Sequence, residues 1–288
     1  MVKCLMATLP AAGDIWGEDG NPARYGAWAR DYPGYRETSR DLVRLARPAA
    51  AAGARVLDLA CGTGVTTREI LAVLGPAGRV TAVDKSAAML GEAARAVTDP
   101  RVTWVNAPAE ALGRQVTGPF GAVVCNSAIW QTQFAATARA VRAVIAAGGR
   151  FAFNVPAGFL GGGAEHRPPE RYPSLLREMR AIAQRDYGWT PPDRPPGRAR
   201  PRLTRDSVQR DLQDAGFGAA QVTEISYPAS AESEEAWLSI PVFTRDWLRG
   251  LPYEDRMRVL GKARERLGPG RPEQAQWVFF VAPASGTG

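Results

Sequence analysis

The chain has 288 residues, 45% hydrophobic and 23% charged, a composition that fits an ordinary soluble globule with a full core. No apolar run approaches the ~20 residues that span a bilayer, and the opening stretch is too short and too weakly flanked for a signal peptide, so a cytoplasmic location and no membrane partner are expected. Three scattered cysteines and a single histidine point to neither a disulfide framework nor a clustered-histidine metal centre, and no metal is expected.

The formal charge of +7 is unevenly spread. Residues 167 to 210 hold eleven arginines against five acids, a net +6, so the rest of the chain is nearly neutral. A basic protein built to bind nucleic acid would spread its charge over a face, and no nucleic-acid partner is expected. Lysine occurs only at 3, 85 and 262, a bias that a GC-rich coding sequence produces without selection. The functional alternative is an anionic group on a substrate, whose geometry the arginine fork matches.

In chain order, "YGAWARDYPGYRETSRDLVRLA" reads as helical and precedes the strand "RVLDL" (55 to 59). A glycine turn follows, then a helix over 65 to 74 ending at Gly75-Pro76. "RVTAVD" (79 to 84) is a strand, and Ser86 caps a helix running to about Val97. Strands "RVTWVN" (101 to 106), "FGAVVCN" (120 to 126) and "GRFAFNV" (149 to 155) follow, with a helix over about 134 to 146 before the last. Beyond 155 come a helix at about 173 to 187 and "PPDRPPGRARP", too rich in proline for helix or ladder. A helix capped by Thr204 and closed at Gly216 leads to the strand "AAQVTEISY" (219 to 227), and "QWVFFVAP" (276 to 283) is the last strand.

Apolar strands alternating with helices predict an α/β fold: a doubly wound, Rossmann-like, seven-stranded, mainly parallel sheet with helices on both faces. One domain is expected over 1–288, with lid helices in 1–50, a cofactor-binding core in 51–155, and lid insertions at 156–202 and 228–270 that show no second core of their own.

In such a sheet the ligand lies at the carboxyl ends of the strands. There the turn "DLACGTG" offers Gly62 and Gly64 for close backbone approach, and Asp84 ends the second strand 22 residues after Gly62, the spacing of a ribose-binding acid. A nicotinamide site needs a third glycine where Thr67 stands, and no Gly-Lys-Ser/Thr follows for a phosphate loop. Asp58 repels a pyrophosphate and favours an ammonium or sulfonium. The expected ligand is a nucleoside with positive charge.

These features resemble the class I S-adenosylmethionine-dependent methyltransferases: "VLDLACGTG", "VTAVDKS", "VNAPAEAL", "FGAVVCNSAIW" and "AVIAAGGRFAF" are similar to their successive motifs, over about residues 20 to 155. The resemblance implies S-adenosylmethionine as cofactor. It places Ala60, Gly62 and Gly64 at the methionine part beside Asp58, Asp84 at the ribose, Lys85 and Met89 around the adenine, Ala109 and Glu110 at its edge, and Asn126 beneath the methionyl group. It also assigns Arg36, in a region similar to the lid helix of small-molecule members, to the methionine carboxylate. Three positions depart from the family pattern: Ala60 for the first glycine, Pro108 where an aspartate often binds the adenine amine, and Gly121 for the acid after Phe120.

Methyl transfer from a sulfonium is an in-line displacement that needs a base only if the nucleophile arrives protonated. His166, the sole imidazole, Glu165 and Tyr32 are the candidates for that role. Trp28, Tyr32, Trp130 and Trp237 are the candidates for contact with the acceptor, among aromatic residues concentrated in the coverings. The "NSAIW" after the fourth strand is unlike the Asn/Asp-Pro-Pro-Tyr of amino-methylating DNA enzymes, and the Pro-Cys of cytosine enzymes is absent. The expected acceptor is therefore a small molecule, as in the natural-product and quinone branch that the lid resembles. Two other readings stay open: a methyltransferase fold turned to cyclisation or elimination, and a non-catalytic scaffold.

Overall fold

A computed structural model describes residues 14–18, 20–48, 53–161, 171–192, 203–245, 247–268 and 273–285. Two helices open it, α1 (Asn21–Asp31) and α2 (Gly34–Ala46). They are two because Pro33 forces the preceding Tyr32 into an extended conformation, φ −119° and ψ 112°, which helix cannot accommodate.

The alternating unit then runs β1 (Arg55–Leu59), α3 (Val65–Val73), β2 (Arg79–Asp84), α4 (Ala87–Ala96), β3 (Val102–Asn106), the one-turn α5 (Leu112–Gln115), β4 (Phe120–Cys125), α6 (Phe134–Arg142) and β5 (Ile145–Pro156). After it come α7 (Arg171–Tyr187), α8 (Arg205–Asp214), β6 (Gln221–Ala229), α9 (Ala231–Leu238), α10 (Pro241–Arg245), α11 (Tyr253–Leu267) and β7 (Glu273–Pro283). The strands form one sheet in the order β3-β2-β1-β4-β5-β7-β6, parallel except for β7, which is antiparallel to both β5 and β6.

The period-2 alternation of the strands divides the core between two faces. Leu57, Leu59, Val123, Phe151 and Phe153 point to one face and pack with Phe134, Ala138 and Val141 of α6 and Val208 and Leu212 of α8. Val56, Val80, Ala122, Val124 and Ala152 point to the other and pack with Leu42, Val43 and Ala46 of α2 and Ile70 of α3. Burial on both faces is why these strands read as continuous apolar runs. Tyr227 of β6 donates its hydroxyl to Asp41 at 2.8 Å, tying α2 across the sheet.

Two expectations need correction. The helix after β4 stops at Arg142, and β5 begins at Ile145, because Ile145 pairs with Phe120 before a register shift lets Arg150 pair with Ala122. The insertions do share a hydrophobic cluster of their own: Leu175, Met179 and Ile182 of α7 bury against Val259, Leu260 and Ala263 of α11, with Trp189, Leu238 and Leu248. Neither insertion could bury its apolar stripe alone. Among the described residues, no helix is long and apolar enough to cross a membrane.

Candidate cofactor and acceptor site

The register aligns the functional ends of the strands. Asp58 of β1 pairs with Ala82 and Val124, and Asp84 of β2 pairs with Asn106 of β3, so both acids stand at the same carboxyl edge. Between them the turn takes three left-handed residues in five: Ala60 (φ 54°), Gly62 (φ 55°) and Gly64 (φ 82°). Glycine adopts this conformation freely, whereas Ala60 pays roughly 1–2 kcal/mol for its Cβ. The turn is held by Cys61 N–H to Val83 O and Gly64 N–H to Cys61 O, both 3.0 Å, and delivers the amino end of α3 to the site.

Asp58 is 1% exposed. Its Oδ2 accepts from the Thr67 hydroxyl at 2.6 Å, while Oδ1 is buried with no hydrogen-bond partner. The residue that occupies a third glycine's place is thus the clasp of the motif's acid. Burial pushes the Asp58 carboxyl up to about 7, against the Thr67 hydrogen bond and with a contribution from Asp84.

Asp84 is held by backbone. Its Oδ2 accepts from Gly62 N–H at 2.9 Å and its Oδ1 from Ser86 N–H at 2.8 Å. Burial raises its pKa and those two N–H donors oppose the rise. Each oxygen keeps lone pairs for further donors, as a ribose clamp requires. Asn106, which the motif reading missed, donates to Asp84 O and Lys85 O at 3.0 and 2.9 Å and fixes the bend after β2. The N-cap Ser86 accepts from Met89 N–H and donates its hydroxyl to Asp14 at 2.7 Å, bringing the segment before α1 over this edge.

Above the acids lies an aromatic roof. Trp16, Tyr25, Trp28, Tyr35, Trp237 and Phe243 cluster with Met89 and Ile240. Trp237 and Phe243 stack at 3.8 Å, and Tyr25 meets Trp16 and Tyr35 edge-on at 5.8 and 5.6 Å. Polar ties hold the segments together: Asn21 donates to Ile15 O and accepts from Val242 N–H, and Trp28 Nε1 donates to Ser233 O. The Tyr25 and Tyr35 hydroxyls are hydrogen bonded to each other; burial raises both pKa values, and Asp84 adds to the first and Asp58 to the second. Both phenols therefore face the acid-lined edge.

The other proposed site residues fall in different places. Asn126 lies in a buried polar lattice, donating to Ser39 at 2.9 Å and Thr38 at 3.3 Å while accepting from Asn154 at 2.7 Å. Asn154 in turn accepts from Ser127 N–H at 2.7 Å, and Ser39 contacts Thr66 at 3.1 Å. Its side chain thus locks α2 to the ends of β4 and β5, a role that the polar letter inside "FAFNV" foreshadows. Arg36, expected at the methionine carboxylate, has instead a 61% exposed side chain paired to Glu69 of α3 at 2.8 Å. Glu110, expected at the adenine edge, accepts from Gln133 N–H at 2.8 Å and so caps the approach to α6. Ala109 is buried beside it and Lys85 is exposed.

Of the acceptor candidates, Trp28 and Trp237 lie in the roof, whereas Trp130 stacks on Phe159 at 4.2 Å beyond the ends of β4 and β5. Tyr32 is half-buried at the end of α1 and outside the roof cluster. His166 and Glu165 lie outside the described residues, as do Arg194, Arg198, Arg200 and Arg202.

Residues 56–149 match a family described as "Methyltransferase domain". No curated protein matches the chain. Among solved structures, phosphoethanolamine N-methyltransferase 2 of Haemonchus contortus in complex with S-adenosyl-L-methionine is similar at 16% identity and a TM-score of 0.57, covering 97% of this chain and 61% of its own. The YcgJ protein of Bacillus subtilis is similar at 16% identity and 0.53, covering 88% and 99%. Geranyl diphosphate C-methyltransferase of Streptomyces coelicolor A3(2), in complex with Mg2+, geranyl-S-thiolodiphosphate and S-adenosyl-L-homocysteine, is similar at 10% identity and 0.51, covering 86% and 76%. At such identities the likeness is one of fold, and the fold is that of the S-adenosylmethionine-dependent methyltransferases.

Proposed function

We propose that the protein transfers a methyl group from S-adenosylmethionine to a small-molecule acceptor in bacterial secondary metabolism. The observation that carries this reading is the paired carboxylate edge: Asp84 braced by two N–H donors with lone pairs to spare, and Asp58 with a buried oxygen that lacks a donor. A ribose diol fits the first and an ammonium the second. The cofactor supplies a methyl group on a cationic sulfur. This chain's part is to hold the nucleoside through Asp84, admit it against Gly62 and Gly64, and exclude water with the aromatic roof.

An anionic acceptor is favoured by two facts. Phosphoethanolamine and geranyl diphosphate, named for two of the similar structures, are both phosphorylated. The eleven arginines between 167 and 210 supply forks that match such a group, with Arg198, Arg200 and Arg202 as the candidate clamp. Pro108, exposed where relatives often place an acid, supports the second reading, in which the fold binds the cofactor but catalyses cyclisation or elimination.

Calorimetric titration with S-adenosylmethionine tests the first step, with a saturable heat expected. Absence of heat at high protein concentration defeats the cofactor reading. A gain of 14 mass units in a metabolite extract incubated with the protein and cofactor then separates methyl transfer from the repurposed chemistry.

A further inference from the structure

The expectation that Asp58 selects a cation assumed a standing negative charge. Its surroundings do not supply one cheaply. From α3 it receives one hydroxyl, Thr67, and among the described residues nothing hydrogen-bonds its other oxygen. The titratable groups facing it are Asp84 from β2, Tyr35 from α2, Cys61 from the turn and Cys125 from β4. None of these is a cation. Burial keeps both thiols and the phenol neutral at physiological pH, so among the described residues the charge facing Asp58 is the like charge of Asp84. An isolated carboxylate in such a place neutralises itself by holding a proton.

Resting on the cofactor reading above, we propose that Asp58 makes cofactor binding proton-linked: its carboxyl keeps a proton while Oδ1 has no partner and releases it to solvent when an ammonium docks there. The balance is one O–H bond lost from Asp58, one proton delivered to water, and one charge-assisted hydrogen bond formed from ammonium to carboxylate. Thr67 is a positioning residue in this exchange, since its hydroxyl favours the ionised form and fixes which oxygen faces the ligand. Specificity follows, because a nucleoside without an ammonium gives no reason to expel the proton. Affinity for an ammonium-bearing ligand should rise about tenfold per pH unit below the Asp58 midpoint and level off above it.

The test has two arms on the full chain. In the protein alone, the 13C-labelled γ-carboxyl of Asp58, assigned by its loss in Asp58→Asn, should titrate with a midpoint near neutrality, and higher still in Thr67→Val; a midpoint below pH 5 overturns the proposal. In calorimetry at pH 6.5 in buffers of different ionisation heat, S-adenosylhomocysteine should release more than half a proton per site. 5′-Methylthioadenosine, which lacks the ammonium, should release none. Asp58→Asn should bind S-adenosylhomocysteine at least tenfold more weakly at pH 8, with no proton release. Equal release with both ligands, or undiminished release from Asp58→Asn, overturns the linkage. A carboxyl that titrates near neutrality in a protein that never binds S-adenosylhomocysteine brings down the cofactor reading, and the assigned ammonium with it.

Discussion

At the carboxyl edge of β1 and β2, ten consecutive residues and one acid downstream form the candidate edge; in the roof, six rings arrive from the segment before α1, from α1, α2, α9 and α10. The edge works through backbone: N–H groups aimed at Asp84, left-handed turns, and the amino end of α3. The roof works through side-chain area, ring against ring, with few polar ties. One region is therefore held by directed hydrogen bonds, with one Asp58 carboxyl oxygen and the Thr63 hydroxyl left without partners, while the other is held together by contacts that can be remade around a ligand.

The largest expected effect sharpens that difference through pH. Asp58 has an ordinary carboxyl pKa of 3.8 when unfolded and about 7 when folded. A raised folded value means the folded state holds the extra proton, so the stabilisation is complete below about pH 4 and is lost as pH rises through about 7. Three units amount to about 4 kcal/mol. Asp84 shifts in the same direction and adds to the trend. In denaturant melts of the ligand-free protein, Asp58→Asn should gain on the wild type by about 2.5–3 kcal/mol between pH 5 and pH 8, the two pH units of the shift that lie inside that window. Parallel curves would mean that the edge is not strained by its acid.

Next comes a break in the roof. Trp237→Ala removes the ring stacked on Phe243 and should cost about 3 kcal/mol locally, the low end for losing a large aromatic because Trp237 is half-buried. Hydrogen exchange should quicken in α1, α9 and α10 while β1, β2 and β4 keep their protection. Uniform quickening would show that roof and sheet unfold as one unit.

Asp84→Ala attacks the edge instead. Cofactor affinity should fall at least tenfold, about 1.5–3 kcal/mol for the lost charge-assisted bonds, with α1 exchange unaffected. Unchanged affinity would remove Asp84 from the ribose.

The same contrast explains what was legible in sequence. β1 and β2 are found residue for residue, because burial on both faces writes itself as an apolar run and the turn chemistry as glycine. Asp58, Gly62, Gly64 and Asp84 come together at one edge for the same local reason. Arg36 and Glu110 were placed by analogy, and their partners, Glu69 and Gln133, lie 33 and 23 residues away where no local rule reaches. The shared cluster of the two insertions joins Met179 to Val259 across one strand and three helices, and periodicity within either segment carries no sign of it. Asn126 stands at the same edge with its hydrogen bonds supplied by Asn154 of β5 and Ser39 of α2, partners too distant in the chain for its own motif to reveal.

The smallest effect concerns the one residue at the edge that departs from the free conformations around it. Ala60 sits at φ 54°, between a strand and two left-handed glycines. Replacing it by glycine removes the left-handed penalty of roughly 1–2 kcal/mol but gives the unfolded chain more freedom, worth about 0.4–1 kcal/mol the other way. Ala60→Gly should therefore stabilise the protein by about 0.5–1 kcal/mol in denaturant melts, with no change in hydrogen exchange in the roof. If the variant is instead destabilised, the Ala60 methyl makes packing contacts worth more than its strain. Ala60 is partly buried against the core cluster that includes Leu59, Val83 and Val123, and those contacts would be found there.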